Sequence, residues 1–295
     1  MNKFISLTAI FIIICNFISC SNDSYSNKNS ETIFEIDNLI LNSSIEVFKS
    51  MPNPVETAEI ITKTGIKFDK RILNPVSNVT YYETSNIMAL NLGIYCADIS
   101  YTSFYNQKEL TFNYLSAIKS LASDLGISQI INKEDILRIE DNLFNKDSIK
   151  IVIENIFLKS GQYLNENNKP EIALLVEVGA WIEGLYIAMQ LSTKSIHINK
   201  ELVDRITQQI NSLDLVIKSL DNYSNYSEIY DVLLDMKKLK NIYKKMQVKP
   251  AKKISVNNID DFSVDTIKKN KIMVTPETFV SLYNEVNTIR NSYTQ

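Results

Sequence analysis

The sequence predicts an all-α fold: a multi-helix bundle, partly up-and-down, with about eight to ten helices. Two observations lead to this prediction. The 295 residues include only 6 Gly and 6 Pro, which is too few for the tight turns that sandwiches, propellers and dinucleotide-binding folds require. Apolar residues recur mostly at helical spacing from residue 31 onward, as expected of packed helices.

The predicted helices begin and end at the few Pro and Gly residues. Pro54, Pro170 and Pro276 stand at expected first positions of helices, and Gly65 and Gly126 stand just after expected helix ends. Proline suits the first turn, and glycine suits the left-handed position after the last turn. In chain order, helices are predicted at residues 33–49, 54–65, 84–105, 107–125, 133–144, 147–167, 170–191, 200–221, 225–246 and 276–291.

The start of the chain is predicted to be an export signal. A basic start, MNK, precedes the apolar run Phe4–Ile14, which is too short to span a bilayer and is typical of a signal peptide. Ser19 and Cys20 resemble the end of a bacterial lipobox, in which the cysteine is acylated, with palmitate among the acyl chains, and becomes the mature N-terminus. The alternatives are an ordinary secretory signal cut nearby and an uncleaved anchor.

We therefore predict three segments: residues 1–19 as a lipoprotein signal peptide, residues 20–30 as a flexible tether, and residues 31–295 as a single all-helical domain. The sequence after Cys20, SNDSYSNKNS, is polar and without periodicity, as is typical of linkers. The polar, basic stretch 249–258 is predicted to be a loop within the domain. Of the three cysteines, only Cys96 would remain a thiol, so no intramolecular disulfide is expected.

The charge balance argues against a nucleic-acid partner. The chain has 31 Lys and Arg against 34 Asp and Glu, a net charge of −3, so no basic field attracts a polyanion. One basic run, 237–253, is interleaved with apolar residues at helical spacing. This run either forms a solvated helix face or contacts anionic lipid head groups.

Two long helices carry the candidate ligand-binding residues. In helix 84–105, the carboxylate of Asp98 lies among tyrosines at helical spacing, and in helix 170–191, Glu183 and Tyr186 form a second polar and aromatic stripe. If the stripes face each other, they line a groove for a small polar ligand, a peptide segment or a sugar ring. The predicted groove residues are Tyr95, Asp98, Tyr101, Trp181, Glu183 and Tyr186.

A purely structural role is the alternative for the two acids of this predicted groove. An isolated buried charge is costly, so a buried acid must be paired, hydrogen-bonded or protonated. Asp98 and Glu183 would then anchor hydrogen bonds between helices in a satisfied core.

Internal glycines lie beside both stripes. Gly93 and Gly179 each follow an aliphatic residue and stand two residues before an aromatic one, and Gly184 lies further along the second helix. An interior glycine costs a helix about 1 kcal/mol relative to alanine, so each position needs a packing or functional reason. Close approach of two helices is such a reason. The shared pattern is either a duplicated helical hairpin or a coincidence.

The usual sequence signatures of catalysis are missing. The one histidine, His197, has no second His or Cys at ligand spacing, so neither a transition-metal site nor a histidine-activated nucleophile is expected. No glycine-rich phosphate loop is present, and we predict no cofactor and no catalytic residue. The alternative is an enzyme that uses the paired carboxylates Asp98 and Glu183 for acid–base chemistry.

The lipobox-like start, the polar tether and the segments LNLGIYCADISYTSFYNQ and VEVGAWIEGLYIAMQL together resemble a group of helical lipoproteins from Bacteroidota without an assigned activity. This resemblance implies a helical fold and a place in the cell envelope, at the outer membrane or the periplasmic face. We therefore expect a membrane-anchored, non-catalytic binding or scaffold protein. Its expected partners are the membrane, through the N-terminal lipid, and a small polar ligand or an envelope protein.

Overall fold

The structure is a computed structural model that describes residues 54–131, 134, 137, 146–167, 169–194, 200–249 and 271–295. All of these residues lie in one compact unit of the chain. Several predictions fall outside the described residues: the signal peptide, Cys20, the tether, helix 33–49, His197, most of helix 133–144 and most of the loop 249–258.

The predicted all-α multi-helix bundle is confirmed. The described residues form nine α-helices, which are α1 (Pro54–Lys63), α2 (Ser85–Phe104), α3 (Lys108–Asp124), α4 (Lys146–Glu166), α5 (Pro170–Lys194), α6 (Lys200–Thr207), α7 (Ile210–Asp221), α8 (Ser227–Tyr243) and α9 (Pro276–Tyr293). Three short 3-10 helices lie at Lys70–Ile72, Val76–Tyr81 and Ser128–Ile130.

Helix ends follow the predicted use of proline and glycine. Pro54 begins α1, and Gly65 and Gly126 both adopt a left-handed φ of 73° after helix ends. Before α9, the Thr275 side chain accepts a hydrogen bond from the Thr278 backbone N–H, as a helix N-cap does.

The structure departs from the predicted elements at two places. The single predicted helix 200–221 is divided into α6 and α7, because the Gln209 N–H bonds to the Ile206 carbonyl three residues back and tightens the turn. Two short strands, β1 (Gln247–Lys249) and β2 (Lys271–Met273), also pair antiparallel with Val248 opposite Ile272. Each strand has only three residues, which is too few for an alternating apolar and polar pattern to predict a strand from the sequence.

The centre of the bundle is the pair α2 and α5. These two helices make the most extensive contact in the described part of the chain, with α1 against both, α3 on α2, and α4 and α9 on α5. The segment Pro170–Ser192 is long and apolar enough to cross a membrane, but 94% of its most apolar window is buried inside the protein. We therefore describe α5 as the central helix of the core.

Candidate functional site

Helices α2 and α5 cross at Gly93 and Gly179. A Cβ atom at Gly93 would lie 2.6 Å from the Ala180 backbone nitrogen, and one at Gly179 would lie 2.8 Å from the Leu90 carbonyl carbon. Gly93 also contacts Val176, so each glycine faces the residue three positions before the other glycine. Side chains are excluded here because the two backbones touch, which confirms close helix approach as the reason for both glycines.

A buried ion pair joins α5 to α9. Two neighbouring N–H groups of the Arg290 guanidinium donate to Glu183, from Nε to Oε2 at 2.8 Å and from Nη2 to Oε1 at 3.1 Å. Glu183 has no exposed surface, and Arg290 is 7% exposed. Two parallel charge-assisted hydrogen bonds fix the position of α9 on α5.

Asp98 of α2 joins this pair and forms with Glu183 and Arg290 what we call the buried ion cluster. Burial first, and then the charge of Glu183, raise the pKa of Asp98 well above its usual range, while Arg290 and the Asn74 N–H oppose the rise. The Asn74 N–H donates to Asp98 Oδ2 at 3.2 Å. These effects favour the neutral acid of Asp98.

The second carboxyl oxygen of Asp98, Oδ1, has no hydrogen-bond partner among the described residues. A neutral carboxylic acid carries an O–H that can donate, whereas a carboxylate only accepts. With a neutral Asp98, the charges left in the buried ion cluster are those of Glu183 and Arg290, which are opposite.

Two buried asparagines hold the elements around the cluster. Asn74 donates from Nδ2 to the Tyr82 hydroxyl at 2.9 Å and to Asn91 Oδ1 at 3.1 Å, and its carbonyl accepts from the Tyr114 hydroxyl at 2.8 Å. Asn91 donates in turn to the Tyr293 carbonyl at 2.7 Å. The segment before α2, helix α3 and the end of α9 are therefore joined by one polar network.

Four of the six predicted groove residues lie at or beside this cluster. Asp98 and Glu183 belong to it, and the Tyr186 ring lies under Arg290, with its centroid 4.6 Å from Cζ, in a cation–π contact. The Tyr95 hydroxyl donates to the Pro75 carbonyl at 3.0 Å. Burial raises the pKa of Tyr95 above its usual range.

The structure places Tyr101 and Trp181 away from the cluster. The Tyr101 hydroxyl accepts from the Asp69 N–H at 3.1 Å, and its ring stacks on Phe68 with centroids 5.1 Å apart. Trp181 donates from Nε1 to Gln209 Oε1 at 3.0 Å, on the side of α5 that faces α6 and α7. The six residues thus do not line one common groove.

Sequence reasoning missed Arg290 and Asn74. Arg290 lies on the buried face of α9 together with Leu282, Val286 and Tyr293. A cation on an otherwise apolar helix face signals a buried acid as its partner. That signal was available in the sequence, whereas the Asn74 backbone contact had no local signal.

A buried thiol and a further buried carboxyl lie outside the cluster. Burial raises the pKa of the Cys96 thiol to about 12, which keeps it protonated and unreactive. Burial also raises the pKa of Glu177 well above its usual range. Among the described residues, Glu177 Oε2 has no hydrogen-bond partner.

A cleft opens on the opposite side of α5, between α1 and α6. We call it the α5 cleft, and its volume is about 20 Å³, which is room for about one water molecule. Its lining residues are Thr57, Ala180, Trp181, Gly184, Leu185, Ala188, Arg205, Ile206 and Gln209.

Chemically, the buried ion cluster is suited to holding helices together. General acid–base catalysis requires a group within hydrogen-bond reach of the substrate, and neither Asp98 nor Glu183 has exposed surface. Within the described ranges, no three His, Cys, Asp or Glu residues are grouped so as to hold a metal ion.

No family model, curated protein or solved structure matches this chain.

Proposed function

We propose that this chain is a lipid-anchored protein of the bacterial cell envelope whose helical domain has a non-catalytic binding or scaffold role. One observation supports the non-catalytic role of the helical domain. The two acids that could act as a catalytic pair are buried, and Glu183 is bound by Arg290. A neutralised pair inside a core stabilises and orients helices, whereas a catalytic pair must reach its substrate.

Catalysis by the same pair is the competing function, and Asp98→Asn separates the two. The variant keeps the size and hydrogen bonding of a neutral Asp98 but cannot transfer a proton. In a strain that lacks the gene, we expect Asp98→Asn to restore growth under envelope stress as fully as the wild-type chain. Restoration by wild type but not by an equally abundant Asp98→Asn chain would support the enzyme.

The anchoring half of the proposal is supported by the sequence at Ser19 and Cys20 and by the polar stretch that follows. Its partner is the membrane, because two or more acyl chains on a terminal cysteine hold a protein stably in a bilayer. The negative net charge of the chain supports no nucleic-acid partner.

Mass spectrometry of the mature chain tests the anchor. We expect a mature N-terminus at Cys20 that carries the added mass of lipid. Cys20→Ser should abolish this modification, and the matched control Cys15→Ser should leave it unchanged because Cys15 lies within the proposed signal peptide. A mature chain that begins elsewhere, or an unmodified Cys20, would contradict the proposal.

A further inference from the structure

Helix α8 and its two flanking residues carry a row of exposed side chains along one face. We call this row the α8 stripe, and it consists of Tyr226, Tyr230, Leu234, Lys237, Asn241 and Lys244. Its members recur every three or four residues and all are exposed, so they share one face of the helix over about five turns. The opposite face of α8 packs into the core, with Ile229, Met236 and Leu239 among its buried residues.

The first half of the α8 stripe is apolar. Tyr226, Tyr230 and Leu234 are 53%, 47% and 38% exposed and lie one turn apart. They are three of the eight large hydrophobic side chains that are exposed among the described residues. Single exposed apolar residues are ordinary, whereas a contiguous row of them indicates a contact surface.

The second half of the α8 stripe is basic. Lys237 pairs with Asp221 at 3.3 Å, whereas Lys244 and the adjacent exposed Lys245 have no ion-pair partner among the described residues. Off the stripe and before these lysines lie the acids of α8, which are Glu228, Asp231 and Asp235. The chain as a whole has a net charge of −3, so this end of α8 is a positive patch on a negative protein.

We propose that the α8 stripe binds to the surface of an anionic lipid bilayer. The lysines contact the phosphates of the head groups. Tyr226 and Tyr230 lie at the level of the head groups, where the rings are in apolar contact and the hydroxyls stay in water, and Leu234 reaches the acyl boundary. A flat bilayer surface fits a straight row of side chains about 27 Å long.

This inference rests on the envelope location in the proposed function. Acyl chains at Cys20 would hold the domain near the bilayer, so a weak contact through the α8 stripe is enough to orient it. The stripe is nevertheless testable without the anchor, because its charge and its apolar groups belong to the folded domain.

Cosedimentation with lipid vesicles tests the contact. Purified residues 20–295 with Cys20→Ser retain every described residue and lack both the proposed signal peptide and the acylation site. The vesicles contain equal parts of phosphatidylglycerol and phosphatidylcholine, or phosphatidylcholine alone. We expect binding to the anionic vesicles, much weaker binding to phosphatidylcholine alone, and loss of binding at high salt, since salt screens the lysines.

Two lysines test the basic half of the stripe. Lys244→Gln/Lys245→Gln should weaken binding to the anionic vesicles about tenfold or more, because it removes two cations near an anionic surface. The matched control is Lys67→Gln/Lys70→Gln, which makes the same change of charge at two exposed lysines between α1 and α2. The control should bind as the wild type does.

Tyr230→Gln/Leu234→Gln tests the apolar half and should weaken binding about tenfold, because less apolar area enters the interface. Its matched control is Tyr81→Gln/Phe112→Gln, which removes two exposed apolar side chains outside α8 and should bind as the wild type does. Leu234→Trp should show blue-shifted fluorescence on anionic vesicles, and Phe112→Trp should not. Trp181 is buried and contributes a constant background to both.

The inference is overturned by an absence of binding to anionic vesicles, by equal binding to phosphatidylcholine alone, or by undiminished binding of both double variants of the stripe. Self-association of the protein without vesicles that the stripe variants abolish would assign the stripe to a second copy of the chain. All substituted side chains are exposed, and an unchanged helical circular dichroism spectrum checks the fold. If Tyr230→Gln/Leu234→Gln fails to fold, the lysine variant decides.

The vesicle experiment and the mass spectrometry of Cys20 have independent outcomes. Lipid on Cys20 without vesicle binding would reject the α8 stripe and retain the anchor. Vesicle binding that depends on the stripe, with an unmodified Cys20, would retain the stripe and reject the anchor.

Discussion

The two sides of α5 use glycine in opposite ways. At Gly179 the backbone of α2 occupies the place of a side chain, whereas at Gly184 that place is empty. The first glycine brings two helices into contact, and the second leaves a cleft between helices. An interior glycine in a helix therefore marks a missing side chain, and only the neighbouring element decides whether the result is a contact or a cavity.

The ion pairs on the two sides of α5 also differ in burial. Glu183 is fully buried with Arg290, whereas the Glu56–Arg205 pair on the other side of α5 is partly exposed. A buried pair tolerates the loss of one partner poorly because the remaining charge has no water. An exposed pair contributes little because water replaces the lost partner.

Removing one member of the buried pair should have the largest effect. Glu183→Gln leaves Arg290 without its counter-charge, and we expect a loss of about 3–5 kcal/mol in the free energy of unfolding. Denaturant unfolding measures this loss. The matched control, Glu56→Gln, should cost at most about 1 kcal/mol. The double variant Asp98→Asn/Glu183→Gln should be the least stable. Equal losses of stability in Glu183→Gln and Glu56→Gln would contradict the difference between the buried and the exposed ion pair.

Adding one methyl group should separate the two kinds of glycine. In Gly93→Ala the new Cβ meets backbone atoms of α5 that cannot rotate away, and we expect a loss of about 2–3 kcal/mol, the upper part of the usual range for overpacking. In the control Gly184→Ala the space is free, and the better helix propensity of alanine should add about 0.5–1 kcal/mol. Thermal unfolding compares them, and shifts of the same sign would refute this distinction.

The last prediction concerns the pH dependence of stability. Because the pKa of Asp98 is raised in the folded state, the native protein binds a proton that the unfolded chain loses above about pH 4. Stability then falls as pH rises toward the folded pKa, by at most about 1.4 kcal/mol per pH unit. Asp98→Asn removes this contribution, so it should exceed the wild type in stability near neutral pH and lose that advantage toward pH 4.

Unfolding measurements at several pH values test this prediction through the difference between wild type and Asp98→Asn. The difference is needed because the raised pKa of Glu177 gives a slope of the same sign in both chains. Asp221→Asn is the control, since Asp221 is an exposed partner of Lys237. Parallel stability curves for wild type and Asp98→Asn would show that Asp98 is ionised in the folded protein.

The sequence predicted the parts of the site that depend on one helix at a time. The helical spacing of the apolar residues and the positions of Pro and Gly located α2 and α5. The internal glycines indicated that two helices approach each other closely. Trp181 was grouped with Glu183 too broadly, because residues two apart on a helix differ by about 200° in direction. Tyr101 stands three residues after Asp98, at the spacing of one helix face, but its hydroxyl contacts the Asp69 N–H and not the cluster.

Arg290 comes from another helix, 107 residues after Glu183. Its place on an apolar helix face indicates that it has a buried acid as partner, but no local spacing indicates which acid.

That long separation has a consequence for how the chain is made. Synthesis proceeds from the N-terminus, so the acids of α2 and α5 exist for some time before Arg290 is added. Until then, packing α2 against α5 would bury Glu183 without its cation, at a high cost in free energy. We expect the central helix pair to close only once α9 has arrived, so that folding of the core waits for the last helix.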